Sequence, residues 1–165
     1  YIGENSLIGN NALVWNYSSI GANSVIGFST EVKNSLIGDN CWFHTNYIGD
    51  SIIGNNCSFG SGAVTANFRF DEETIKININ DKKINSGRDK LGVIMGDNCK
   101  VGVNATLSPG VRIGPNSIVG PNVYLRNDLE TNKIILVKKE NYTIKENKVD
   151  MSGSRKEELR SRLKF

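Results

Sequence analysis

Among the 165 residues there is one histidine, His44. It is the side chain best suited to carry a proton near neutral pH, since an unperturbed imidazole titrates near ~6.5. It lies in Phe-His-Thr-Asn-Tyr-Ile-Gly-Asp, residues 43–50. A lone histidine can equally be a solvent-facing or hydrogen-bonded structural ring. Most basic side chains come after Arg69, with Lys76, Lys82, Lys83, Arg88 and Lys90 close together, so an anionic small ligand near the later half is plausible. With a net charge of only +3, a nucleic-acid partner is not implied by charge alone, and none is expected. Cys41, Cys57 and Cys99 are odd in number and form no Cys-x-x-Cys pair, which argues against a disulfide framework and a zinc site. A reducing cytoplasm is the expected setting. No apolar run approaches about 20 residues, so no membrane span is expected.

What positions these residues is a six-residue rhythm. Aliphatic side chains fall at Ile2, Ile8, Val14, Ile20, Ile26 and Val32, and again at Met95, Val101, Leu107, Ile113, Val119 and Leu125. Between the two runs the step shortens to five at Ile37, Ile48 and Ile53, and His44 lies among these slips. Four residues after the aliphatic comes a small or slim side chain, as at Ser24, Thr30, Cys41, Cys57, Cys99 and Ala105. Cys57 holds such a slot, so a packed thiol is expected there and not a nucleophile.

A period of six matches neither a helix nor an alternating strand, but it suits a short strand and a turn repeated three times per coil. Five to six such coils are expected. Stacked aliphatic columns then stand in for a globular core, consistent with a hydrophobic content of only 38%. From Thr65 to Met95 the hexads vanish, and Thr74 to Ile79 alternates apolar and polar residues, as in a strand or hairpin outside the stack. Lys133 to Lys138 and Tyr142 to Ile144 read as two further short strands, and Ser154 to Phe165 as a capping helix. Because the first residue, Tyr1, already lies inside a repeat, the chain is expected to be a piece of a longer protein.

The repeat resembles the hexapeptide-repeat family, which implies a left-handed parallel β-helix and usually a trimer. The expected fold is therefore all-β, with the β-helix over about residues 1–130, a loop or hairpin inserted at about 67–92, and a capping segment including a short helix at 131–165. Four further segments, Glu31 to Ser35, His44 to Asp50, Phe59 to Asp71 and Gly87 to Asn98, are similar to the C-terminal half of the bifunctional sugar-1-phosphate nucleotidylyltransferase/acetyltransferases, particularly the archaeal-type branch. The resemblance spans about Ser29 to Asp128.

That resemblance implies acetyl transfer from acetyl-CoA to the amine of glucosamine-1-phosphate or galactosamine-1-phosphate, without a metal, at sites between the subunits of a homotrimer. A nucleotidylyltransferase domain is expected upstream. Carried over residue by residue, it makes His44 the general base and places Lys33, Tyr47 and Asn67 on the sugar phosphate. Lys76 or Lys90 becomes the candidate phosphate partner, because Glu73 stands where a family lysine is common; Ser58 likewise replaces a common asparagine. Ser61, Val103 and Gly120 map onto the CoA channel, Val103 being bulkier than expected. An amine attacks a thioester only after losing its proton, which a base of near-neutral pKa can take. The oxyanion that forms needs donors, which a turn such as Phe59-Gly60-Ser61-Gly62 can offer through its backbone. A carbonic-anhydrase reading needs three histidine ligands and fails on one. The remaining rival is a non-catalytic β-helix that trimerises and regulates an upstream domain.

Overall fold

A computed structural model describes residues 1–80, 82–138, 145–148 and 162. The described chain winds into a left-handed parallel β-helix of triangular section, about seven turns tall. The first face stacks Ser19–Ile20, Leu36–Ile37, Ile52–Ile53, Ile94–Met95 and Arg112–Ile113, with single bridges at Ile2 above and Leu129 below. The second face stacks seven strands from Leu7–Ile8 to Ile134–Ile135. The third stacks six, among them Glu31–Lys33, Tyr47–Gly49 and Val64–Thr65. All pairings between coils are parallel. The count exceeds the expected five to six because Leu129 and Ile135 pack against the core beyond Leu125, although a step of four separates Leu125 from Leu129.

Inside, the aliphatic or aromatic side chain at each rung is buried: Ile20, Ile26, Val32, Phe43, Ile48, Phe59, Leu107 and Val119 are all fully enclosed. Each contributes roughly 1.5–3 kcal/mol relative to exposure. At the corners the chain turns through left-handed conformations at Asn23, Asn40, Asn56, Asn98 and Asn116, residues that tolerate positive φ better than other non-glycine types. Small side chains fill the space behind each corner. Cys41, Cys57 and Cys99 stack in one such column, and burial pushes the Cys99 thiol up. The hydrogen bond with Cys41, then burial, pushes the Cys57 thiol up as well. They are packed thiols, as their slots implied.

The insertion leaves after Val64–Thr65 and returns at Ile94–Met95, at the corner between the third and first faces. It carries the antiparallel hairpin Lys76–Ile79 with Lys82–Asn85. Ile75, 2% exposed, seats the loop against the prism directly over Gly110. Gly110 has φ +72°, and a Cβ there would lie 2.6 Å from Ile75 Cγ2, so glycine is required twice over. The strand expected near Lys133 to Lys138 is present as Ile134–Ile135. The strand expected at Tyr142 to Ile144 and the helix expected from Ser154 to Phe165 lie outside the described residues, apart from Arg162.

Candidate active site

His44 directly follows Trp42–Phe43, at the corner between the second and third faces. Its ring is exposed and tilted against Trp42, with centroids 6.2 Å apart, and it has no hydrogen-bond partner among the described residues. Its backbone, in contrast, is held on both sides. The His44 amide donates to Asn46 Oδ1 at 2.8 Å, and its carbonyl accepts from Thr30 Oγ1 at 3.1 Å. Asn46 is 5% exposed and occupies the corner slot that alanine or threonine fills in neighbouring coils. Its Nδ2 donates to the carbonyls of Gly60 and Ala63 at 2.8 and 2.9 Å, one coil on. The five-residue step from Phe43 to Ile48 leaves the corner short by one residue, and the asparagine amide replaces the missing backbone contacts.

A groove of about 380 Å3 runs from His44 along this corner past Gly60, Val103, Gly120, Pro121 and Leu136. Three of the expected residues, His44, Val103 and Gly120, thus share one wall. Val103 is 47% exposed and makes the groove shallow there. Ser61 is exposed on the adjoining turn and does not line the groove; its carbonyl accepts from the Asn104 amide at 3.0 Å. Two amides of the turn expected to offer oxyanion donors are engaged within the fold. The Gly60 amide donates to Val101 O and the Gly62 amide to Thr45 O, both at 2.8 Å, so the coil ladder uses them.

The second cluster lies around Asp50, at the next corner. Asp50 is 8% exposed and receives Asn34 Nδ2 at 2.7 Å, Lys33 Nζ at 3.1 Å and, in a short contact, Asn67 Nδ2. Asn67 Nδ2 also donates to Tyr47 Oη at 3.1 Å. Burial raises the Asp50 carboxyl, but hydrogen bonds from Asn34, Asn67 and Lys33, with the Lys33 charge, outweigh it and hold the group below its ordinary value. Tyr47 reaches this cluster by lying across Gly49, where a Cβ would come within 2.6 Å of the phenol oxygen and 2.7 Å of Asn67 Nδ2.

Lys33, Tyr47 and Asn67 are therefore brought together as expected, but Lys33 meets them already ion-paired. Lys90 lines a groove of about 370 Å3 beside the cluster, with Arg88, Asn34, Asp50 and Tyr17. Its ammonium lies 5.8 Å from the Phe68 ring centroid. Lys76 is exposed on the hairpin and lines neither groove. Arg69, another candidate cation, is bound to Asp71. Asp50 and Asn46 were both within reach of sequence reasoning. Asp50 closes the histidine segment, and Asn46 is a polar residue in a column of small ones.

Residues 92–127 match the family described as bacterial transferase hexapeptide (six repeats). The chain is a hexapeptide-repeat domain. It matches bifunctional sugar-1-phosphate nucleotidylyltransferase/acetyltransferases of archaea. It is 41% identical over 120 residues to the bifunctional protein GlmU of Methanocaldococcus jannaschii, covering 72% of this chain and 29% of that protein. It is 40% identical over 122 residues to the bifunctional sugar-1-phosphate nucleotidylyltransferase/acetyltransferase of Sulfurisphaera tokodaii, covering 73% of this chain and 30% of that protein. The chain thus spans under a third of these relatives' length. The fold is shared with a point mutant of AntD, an N-acyltransferase from Bacillus cereus, in complex with dTDP-4-amino-4,6-dideoxyglucose and coenzyme A, at a TM-score of 0.66 and 21% identity over 97% of this chain and 90% of that one. Among the described residues no helix is long and apolar enough to cross a membrane, and no group of three or more acidic, histidine or cysteine side chains is arranged to hold a metal ion.

Proposed function

We propose that this domain transfers an acetyl group from acetyl-CoA to the amine of a hexosamine-1-phosphate, with His44 as general base. The observation that carries this reading is the groove in which His44 shares a wall with Val103 and Gly120, the positions assigned to the CoA channel. The curated relatives are named as acetyltransferases, and the structural neighbour was solved with coenzyme A and an amino-sugar nucleotide. His44 Nε2 or Nδ1 takes the ammonium proton, and the free amine attacks the thioester carbonyl carbon. Attack forms the C–N bond and a tetrahedral oxyanion; its nitrogen then loses a second proton to water, the adduct collapses with cleavage of the C–S bond, and the imidazolium returns its proton to the departing CoA sulfur. No acetyl-enzyme is needed, and Cys57 is too enclosed to form one. Tyr47 and Asn67 hold the sugar, and Lys90 faces its phosphate.

The reading includes a homotrimer with sites between subunits, and the open shape of the groove supports it. His44 and Val103 line an open wall rather than an enclosed pocket, and Trp42, 53% exposed, lies beside the His44 ring. A second copy would close it and exclude water from the thioester. The full-length protein would also carry a nucleotidylyltransferase domain and work in the cytoplasm on UDP-N-acetylhexosamine synthesis. The test is release of free CoA thiol from acetyl-CoA with glucosamine-1-phosphate and, separately, galactosamine-1-phosphate. Sugar-dependent release is expected with at least one. No release with either would favour the regulatory β-helix instead.

A further inference from the structure

A carboxylate buried among residues expected to bind a phosphorylated sugar is the most costly group of the site. An unpaired carboxylate in such a place would repel the phosphate, and its burial alone is unfavourable. Asp50 avoids the burial cost by accepting from three side-chain donors on two separate stretches of chain. Lys33 and Asn34 come from the coil above, and Asn67 from the first turn of the insertion. Its backbone is used as well: the Asp50 amide donates to Lys33 O and its carbonyl accepts from Gly92 N, both at 2.8 Å. Asp50 has φ +49°, so the corner itself aims the side chain. In the two coils above, Asn34 and Tyr17 hold the matching left-handed corner position.

From this geometry we propose that Asp50 is the positioning residue of the sugar-phosphate subsite, a buried acceptor that fixes Lys33 and Asn67 and, through Asn67, the Tyr47 hydroxyl. The idea rests on the acetyltransferase reading for its substrate but not for its geometry. Lys33 is then a strut whose charge is matched inside the protein, and the phosphate is left to Lys90 and Arg88 across the groove. The short five-residue step from Ile48 to Ile53 is what brings the carboxylate within reach. The chain there has only Gly49, Asp50, Ser51 and Ile52 with which to turn the corner.

The variant that tests this is Asp50→Asn, of nearly the same shape. Three donors converge on an acceptor-only group, so an amide must aim its own N–H2 at one of them. The KM for hexosamine-1-phosphate is expected to rise about tenfold or more, with the KM for acetyl-CoA within about twofold, because only the sugar subsite loses its acceptor. In side-chain amide NMR, the Asn34 and Asn67 resonances should both shift in the variant. The wild type gives a second route that needs no substitution. On acidification the Asn34 and Asn67 amide shifts should move together with one midpoint below the ordinary aspartate value. The titratable groups facing Asp50 are Lys33, Tyr47, Tyr17, Arg88 and Lys90, none of them a carboxylate, and Glu31 on the same face is bound to Trp15 instead. A stability loss with both KM values unchanged would reduce Asp50 to a structural group and overturn the proposal, as would amide resonances that neither shift in the variant nor titrate in the wild type. If the wild type releases no thiol with any sugar, the activity assignment fails while the amide titration still decides the positioning role.

Discussion

The regular coils from Met95 to Leu125 and the slipped coils from Val32 to Ile53 are built on the same triangular plan, and they differ most at the corners. In the regular coils the corner slots hold Cys99, Ala105, Val111, Ser117 and Val123, mostly apolar. In the slipped coils the three short corners hold Ser35, Asn46 and Ser51, each buried and each bonded to backbone, while Cys41 fills the six-residue corner between them. A turn short by one residue leaves peptide groups facing inward without partners, and a buried polar group must be satisfied or cost about 1–3 kcal/mol. Side-chain amides and hydroxyls take over that task. The same shortening places His44, Tyr47 and Asp50 around successive corners. Regularity thus provides the scaffold, and irregularity provides the site.

Breaking the regular half should cost stability without touching chemistry. Leu107→Ala removes a fully enclosed side chain stacked between Thr65 and Leu125 and is expected to lower stability by about 2–5 kcal/mol in denaturant titration, with unchanged KM values. Breaking the slipped half should do the reverse. His44→Ala removes an exposed ring without hydrogen bonds, so turnover should fall at least about 100-fold in the thiol-release assay while the thermal midpoint stays put. Unchanged turnover would remove His44 as the base.

Asn46→Ala combines both effects. The Gly60 and Ala63 carbonyls and the His44 amide lose their partner, for a loss of roughly 2–3 kcal/mol, and kcat should drop as the His44 corner loosens. A variant with normal kcat and lowered midpoint would separate the corner from the chemistry. The pH dependence follows from Asp50. Its folded-state carboxyl titrates below the unfolded value, so the stability it adds is present above about pH 4 and is lost as pH falls through the lower folded value. Denaturation midpoints between about pH 2 and 6 should fall less steeply for Asp50→Asn than for wild type. The smallest effect belongs to Cys57→Ser. Serine already holds the same column at Ser24 and Ser117, so activity should not change and stability should move by about 1 kcal/mol or less.

The prism was legible because its rule is simple: an inward aliphatic every sixth residue can be counted without knowing any contact. The slips could be counted too, since Ile37, Ile48 and Ile53 arrive one residue early. What could not be read was how the short corners are satisfied. Nothing in the repeat says that Asn46 turns inward to bond the next coil, nor that Asp50 draws Lys33 away from solvent, because both depend on three coils meeting in register. The seventh coil does not show in the count because the spacing from Leu125 to Leu129 is four. The engagement of the Gly60 and Gly62 amides could not be read for a related reason, since both donate to neighbouring coils once the turn is stacked in the prism.

The insertion has a consequence for how the whole domain comes apart. A stack whose coils touch only their neighbours frays from its ends, one rung after another. Here the loop that leaves after Val64–Thr65 lands again on the prism, where Ile75 covers Gly110 and the Gly110 amide donates to both Leu91 O and Gly92 O. That landing couples rungs that would otherwise melt independently. Hydrogen exchange should therefore find the coils on either side of the loop opening as a single cooperative unit, with the two ends of the prism loosening first.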